Sequence, residues 1–372
     1  WRCKWARSWR PTRATRRRTL CMALTLKPPL GPVETGATAC TVLVTGATGY
    51  VAGSIVQRLL AAGHTVHATC RAPEKESTVG HLKALPGATE RLVLFKADLL
   101  LPDAFDEAVQ GCTYVFHTAS PVDFAAGTGA QAQAILVDPA VKGAENVLNA
   151  VNKCSTVKRV VLTSSIAAVA HSGFDQPEGY QFTEEDWNTV SSLYSMPYSL
   201  SKVSAEKRAW EMAKTQSQWD LVSINPGLVM GPPLSSRNDG ESIALFRKMF
   251  TGQFYPACPA FGTGWVDVRD VAVAHCLAAF TPSASGRYIT VCTSAPIYDI
   301  VLDLAKQYPQ VKQPLFFVPK WLGMLVGPLL GVQRDALRAS LGAYPQYNAG
   351  KLKKELKMEF IPLTETLVDM AQ

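Results

Sequence analysis

The chain of 372 residues is 47% hydrophobic and 18% charged, the balance of a folded protein with one or two cores, which excludes a disordered, collagenous or polar low-complexity chain. Its net charge of +7 is unevenly placed, since residues 1–38 hold nine Lys and Arg against Glu34 alone, leaving 28 basic and 29 acidic residues for the rest. The segment 39–372 is therefore near neutral and offers no nucleic-acid surface. Residues 1–21 are Arg-rich, lack acids and contain Trp1, Trp5 and Trp9. The segment 1–38 reads as a basic extension, disordered or not native, with Met22 as the start; as a genuine transit peptide it would send the protein to an organelle. The apolar run from Thr19 to Leu26 stops at Lys27-Pro28-Pro29 and is too short for a secretory signal.

From Thr41 onward β-branched runs alternate with helical patterns. Val42-Leu43-Val44 precedes a helix through Ile55 to Ala62, and Val66-His67-Ala68-Thr69 one near Ser77 to Leu85. Leu92-Val93-Leu94-Phe95 leads to a helix near Phe105 to Val109, and Tyr114-Val115-Phe116 to a long one around Ala132 to Val151, before the strand Val160-Val161-Leu162. Parallel neighbours need crossover connections, so this rhythm specifies an α/β fold, a doubly wound parallel sheet of Rossmann type. A smaller C-terminal substrate-binding lobe completes one unit over 39–372. The apolar stretch Leu315 to Val332 is broken by Pro319, Lys320 and Pro328 and falls short of the ~20 residues a spanning helix needs. It reads as a buried or pocket-lining helix, with no membrane role. Nine cysteines show no CxxC pair and no metal-ligand spacing, which suggests reduced thiols in the cytoplasm and no metal site; His64 and His67 read as structural.

The first strand runs into Gly46-Ala47-Thr48-Gly49-Tyr50-Val51-Ala52-Gly53 at the head of a helix. Gly46 permits the tight turn, and Gly49 lets backbone approach a pyrophosphate at the positive helix N-terminus. NAD binders carry an acid at the end of the second strand to hold the ribose 2′-hydroxyl. Here the strand ends Thr69-Cys70-Arg71 with Lys75 nearby, so a 2′-phosphate meets cations and the cofactor is expected to be NADP(H). The alternative is that Arg71 is a loop cation paired with Glu74. Further on, Tyr198-Ser199-Leu200-Ser201-Lys202 follows Pro197 into a helical stretch ending near Lys214, so Tyr198 and Lys202 share a face. An adjacent ammonium favours the phenolate and brings the Tyr198 phenol towards general acid–base use. The strand ending at Leu162 delivers Thr163-Ser164-Ser165 at the carboxyl edge, where open sheets place their ligands.

On these motifs the chain resembles the extended short-chain dehydrogenase/reductases, and within them the dihydroflavonol reductase, cinnamoyl-CoA reductase and methylglyoxal/isovaleraldehyde reductase group of the NAD-dependent epimerase/dehydratase family. Lys96-Ala97-Asp98-Leu99, Phe116 to Pro121, Asn225-Pro226-Gly227, Gly231-Pro232 and Val266 to Ala272 also carry the likeness, which runs from Thr41 to the C-terminus. The resemblance implies that Tyr198 transfers the hydroxyl proton, that Ser165 rather than Ser164 hydrogen-bonds the substrate carbonyl, and that Lys202 holds the nicotinamide ribose while lowering the tyrosine pKa. Tyr50 and Val51 would join Gly46 and Gly49 at the cofactor, Asp98 and Leu99 would border the adenine, Thr118, Ala119 and Ser120 its central part, and Pro226 and Gly227 the nicotinamide.

Two departures limit the substrate. The asparagine that flavonoid reductases place five residues after the catalytic serine is Ala170, and the aromatic, Cys-containing motif of cinnamoyl-CoA reductases is replaced by Ser195-Met196-Pro197-Tyr198-Ser199-Leu200. The pocket is expected from Val122, Asp123 and Phe124 and from the stretch Leu228 to Leu330. The expected activity is NADPH-dependent reduction of a small-molecule aldehyde, ketone or dihydroflavonol-like carbonyl by a monomer or homodimer. A nucleotide-sugar epimerase or dehydratase with tightly held NAD, and a non-catalytic NADP-binding regulator, are the competing readings.

Overall fold

A computed structural model describes residues 38–121, 127–170, 176–235, 240–330 and 334–372. The expectations for the segment 1–37 and for Val122, Asp123 and Phe124 lie outside the described residues. The chain runs β1 (Thr41–Thr45), α1 (Tyr50–Ala61), β2 (Thr65–Cys70), α2 (Glu76–Lys83), α3 (Ala88–Arg91), β3 (Leu92–Lys96) and β4 (Tyr114–His117). It continues through α4 (Ala130–Ala132), α5 (Asp138–Asn152), β5 (Arg159–Thr163), β6 (Gln181–Phe182), α6 (Pro197–Lys214), β7 (Asp220–Pro226) and β8 (Leu228–Met230). The remainder is α7 (Glu241–Phe250), β9 (Ala257–Pro259), β10 (Gly262–Asp267), α8 (Val268–Phe280), β11 (Gly286–Thr290), β12 (Thr293–Pro296), α9 (Ile297–Gln307), β13 (Phe316–Val318), α10 (Lys320–Val326), α11 (Arg334–Ser340), β14 (Gln346–Tyr347), α12 (Gly350–Glu355) and α13 (Leu363–Ala371).

Seven parallel strands form one sheet in the order β11-β7-β5-β4-β1-β2-β3. Successive residues of a strand face opposite sides. In β1, Val42 and Val44 pack with α1 and α8, whereas Leu43 packs with α5 and α6. Both faces are covered, which is why the strands read as unbroken apolar runs. Chain order reverses between β1 and β4, so the crevice at their carboxyl ends is the topological switch point. Register places Thr45 beside His117, His117 beside Leu162, and Thr163 beside Ile224 along that edge.

The smaller lobe is built on the sheet β12-β10-β8 and has its own core around Trp265, Met230, Ile300, Leu304 and Leu367. Gly227 is the hinge between the two sheets. Its N–H donates to the Thr290 carbonyl at 3.0 Å, and a Cβ there would lie 2.5 Å from the Gly264 carbonyl oxygen.

Three local expectations change. Residues 102–111 form successive turns rather than a helix. The long helix before β5 is interrupted by a π segment, Gln133–Val137, ahead of Pro139, whose missing N–H prevents a regular ladder at the start of α5. The stretch after Leu315 is not buried, because α10 turns Trp321 (68% exposed) and Leu325 (64%) outward, with Leu329 (82%) beyond it. Only the Gly323 and Gly327 side of that stretch is covered, by Leu341 and Leu337. His64 and His67 are structural: His64 stacks on Phe280 and accepts from the Cys40 N–H, while His67 bonds the Ala108 carbonyl.

Candidate active site

The nucleotide turn is fixed from three sides. Gly46 takes φ +64°, a conformation that favours glycine, and a Cβ there would sit 3.1 Å from Ala119. The Gly46 N–H donates to Thr69 Oγ1 at 3.3 Å and the Ala47 N–H to the Thr69 carbonyl at 2.9 Å, which ties the turn to the end of β2. Thr45 Oγ1 accepts from the N–H groups of Thr118 and Ala119, at 3.2 and 3.1 Å, and bonds His117 Nδ1 at 3.0 Å. Thr118 Oγ1 in turn donates to the Thr45 carbonyl. The loops after β1 and β4 therefore form one wall of the crevice.

Gly49 caps α1 without a side-chain hydrogen bond, and no acid lies in the first turn, so the helix presents unsatisfied N–H groups and positive potential. Tyr50 donates to the Gly231 carbonyl at 2.5 Å, linking the head of α1 to the smaller lobe, and Val51 follows it in the first turn. Burial raises the Tyr50 phenol pKa. Arg71 and Lys75 are exposed immediately beyond β2, and Arg71 makes no ion pair with Glu74 or any other described residue. Asp98 lies beyond the end of β3, next to β2, and its Oδ1 accepts from the Leu100 N–H at 2.9 Å. Leu99 covers Gly143 of α5, where a Cβ would meet it at 2.4 Å, and its carbonyl accepts from Asn146. A glycine cradle facing a bare helix N-terminus, with exposed cations one strand away that have no ion pair among the described residues, suits a phosphorylated dinucleotide.

The side chains expected to react come from the segment after β5, from α6 and from the loop after β4. Ser165 caps the short 3-10 turn Ile166–Ala168 by accepting from the Ala167 N–H at 3.1 Å, which leaves its own proton free to donate. It is hydrogen-bonded to the Tyr198 phenol. Pro197 occupies the first turn of α6, and Met196 before it takes φ +60°, a strained turn that aims the helix. Lys202 Nζ donates to Ser120 Oγ at 3.0 Å and lies 5.7 Å from the Tyr198 ring centroid. Pro226 and Gly227 are buried beside Thr290 at the end of β7.

The phenol departs from the sequence expectation. Burial pushes Tyr198 up to about 12, and the Ser165 hydrogen bond offsets this only in part. Lys202 Nζ is directed to Ser120, and desolvation dominates at the phenol. Lys202 is itself lowered to about 8 by burial, with Glu206 opposing the fall. His117, fully enclosed and facing Lys202, is held down at about 4.

Ser164 points elsewhere, donating to Glu206 Oε2 at 2.6 Å. Glu206 and Arg287, which clasps it at 2.7 Å, are a buried ion pair that motif reading overlooks. The available signal was spacing, because Tyr198, Lys202 and Glu206 fall at i, i+4 and i+8 on one helix face. A cavity of about 20 Å³, room for about one water, has His117, Ser120, Ser164, Lys202 and Glu206 among its lining residues. A wider surface groove of about 460 Å³ lies further along α6, around Trp187, Lys207 and Trp210, and contains none of Ser165, Tyr198 or Lys202.

Residues 42–292 match the model of the NAD dependent epimerase/dehydratase family. The chain is 44% identical to cinnamoyl-CoA reductase CAD2 of Medicago truncatula over 73% of its own length and 82% of that protein. It is 38% identical to tetraketide alpha-pyrone reductase 2 of Arabidopsis thaliana over 72% and 82% of the two chains. Among solved structures it resembles Gre2 of Candida albicans in complex with NADPH, with a TM-score of 0.75, 27% identity and coverage of 89% of this chain and 97% of that one.

Proposed function

Because this chain belongs to the NAD-dependent epimerase/dehydratase family, we propose that it is an NADPH-dependent oxidoreductase that reduces the carbonyl of a small aldehyde or ketone to an alcohol. The observation that carries the proposal is the meeting of Ser165, Tyr198 and Lys202 at the edge of the sheet where Gly46 packs on Ala119. The relatives' names support reduction, and Gre2 was solved with NADPH. Their differing substrates leave the carbonyl compound itself open.

NADPH, when bound, supplies the hydride that reaches the carbonyl carbon. Gly46, Gly49 and the first N–H groups of α1 would receive its pyrophosphate, while Arg71 and Lys75 would receive the 2′-phosphate. Ser165, whose oxygen accepts from the Ala167 N–H, would donate its hydroxyl proton to the carbonyl oxygen and orient it. The Tyr198 phenol, which stays protonated through neutral pH, gives its proton to that oxygen as negative charge develops there. Lys202, held by Ser120, contributes positive charge beside the phenolate left behind.

Arg71, without an acidic partner among the described residues, favours this reading over an epimerase with tightly held NAD. The test is a panel of aldehydes and ketones with NADPH: stoichiometric NADPH oxidation and alcohol formation support the proposal. Copurified NAD with no net turnover would reject it in favour of the epimerase, and NADPH binding without turnover on a broad panel would leave a regulator.

A further inference from the structure

Glu206 is 1% exposed and receives five hydrogen bonds, all from side chains of this chain. Oε2 accepts from Ser164 Oγ at 2.6 Å, Asn225 Nδ2 at 3.0 Å and Arg287 Nη2 at 3.3 Å, and Oε1 accepts from Arg287 Nε at 2.7 Å and Trp210 Nε1 at 3.3 Å. The residue after β5 and the elements α6, β7 and β11 therefore converge on one carboxylate. So costly a burial of charge is tolerated only with full pairing, and Arg287 is fixed in its turn by the carbonyls of Glu184 and Asp186 and by the Trp187 ring, 3.8 Å from its guanidinium carbon.

Two of these links lead to the reacting groups. Asn225 Nδ2 bonds both Glu206 and the Ser165 carbonyl, the latter at 3.2 Å, so the carboxylate holds the backbone that presents the Ser165 hydroxyl. Glu206 also stands one helical turn from Lys202, and both line the cavity of about 20 Å³. The other groups around Lys202 give its charge little support. His117 on β4 is neutral, Tyr198 carries its proton, Ser120 is a hydroxyl, and α5 contributes Ala140 and Ala144. Arg287, which clasps the carboxylate, is a cation.

We propose that Glu206 is a positioning residue for the reaction: its clasped carboxylate keeps Lys202 as the ammonium and locks the ends of β5 and β7 that present Ser165. The proposal rests on the reductase reading for its catalytic meaning. Its test is kept independent of turnover by reading the protonation of Lys202 directly.

The experiment is acetic anhydride labelling of Lys202 across pH, quantified by mass spectrometry, in wild type and Glu206→Gln, with folding checked by circular dichroism and NADPH binding by fluorescence. The wild-type midpoint is expected near 8. In Glu206→Gln it falls by about one to two units, the size of a lost charge interaction at one-turn separation, and the high-pH limb of NADPH-dependent turnover falls with it. A purely structural role would lower the melting temperature and leave the midpoint in place. Should the single variant not fold, Glu206→Gln/Arg287→Gln leaves no lone buried charge and carries the test, with a smaller fall of the same sign because Glu206 is the charge that raises Lys202. An unchanged midpoint in whichever folded variant is obtained overturns the proposal, whereas failure of the carbonyl panel in wild type overturns only the reductase reading.

Discussion

Replacing Arg71 with Ala isolates the basis of cofactor choice. Arg71 follows β2 directly, is exposed, and has no ion-pair partner among the described residues, so its removal breaks no ion pair among them. A charge-assisted hydrogen bond is worth about 1.5–3 kcal/mol, and solvent screening at an exposed site favours the lower end. That corresponds to a loss of about tenfold, with about a hundredfold as the upper bound, in kcat/KM for NADPH. NADH lacks the 2′-phosphate, so its kcat/KM should stay within about threefold. Both constants are measured at saturating carbonyl and low salt, and the gap between cofactors should narrow as salt rises. Lys75 remains four residues on, and Arg71→Ala/Lys75→Ala should erase most of the residual preference. An unaltered ratio in the single and the double variant would refute the argument that these cations read the phosphate.

On the proposed mechanism, Lys202 and Tyr198 would set the pH profile of reduction. Lys202, depressed to about 8, must be charged, and the phenol, raised to about 12, is protonated throughout. Turnover is therefore expected to be level through neutrality and to decline about tenfold per unit above pH 8, as checked by kcat between pH 6 and 10. Stability should show an acid limb from the two enclosed histidines, His117 and His275, each held down at about 4 by burial. A depressed histidine contributes stability that is whole above its unfolded pKa, near 6.5, and lost as pH falls towards 4. For His275, bonded to Thr163 and Val271, this amounts to about 3 kcal/mol. Urea midpoints between pH 7 and 4 should fall less steeply in His275→Gln than in wild type.

Much of this is visible in residue order, for physical reasons that particular elements illustrate. The β1 turn is legible because glycine takes the +64° bend at Gly46 without strain and leaves room for Ala119, and α6 is legible because Pro197 announces its first turn and Lys214 its last. The state of the phenol is not legible from the Tyr198/Lys202 spacing. That spacing supplies the ammonium, but the opposing desolvation comes from the surrounding fold. Glu206 looks like one more helix glutamate until β5, β7 and β11 bring Ser164, Asn225 and Arg287 to it across 42, 19 and 81 residues. The exposed face of α10 escaped for the converse reason. Its composition is that of a core helix, but the packing covers one side only.

The central claim is that the Tyr198 phenol delivers the proton to the carbonyl oxygen beside bound NADPH. The most direct test mixes enzyme–NADPH with an accepted aldehyde under single-turnover conditions, comparing wild type with Tyr198→Phe after NADPH affinity has been measured for both. The account predicts NADPH binding within about threefold and a fall in the reduction step of at least about a hundredfold, the contribution of a positioned general acid. Reduction at the wild-type rate by Tyr198→Phe would contradict it.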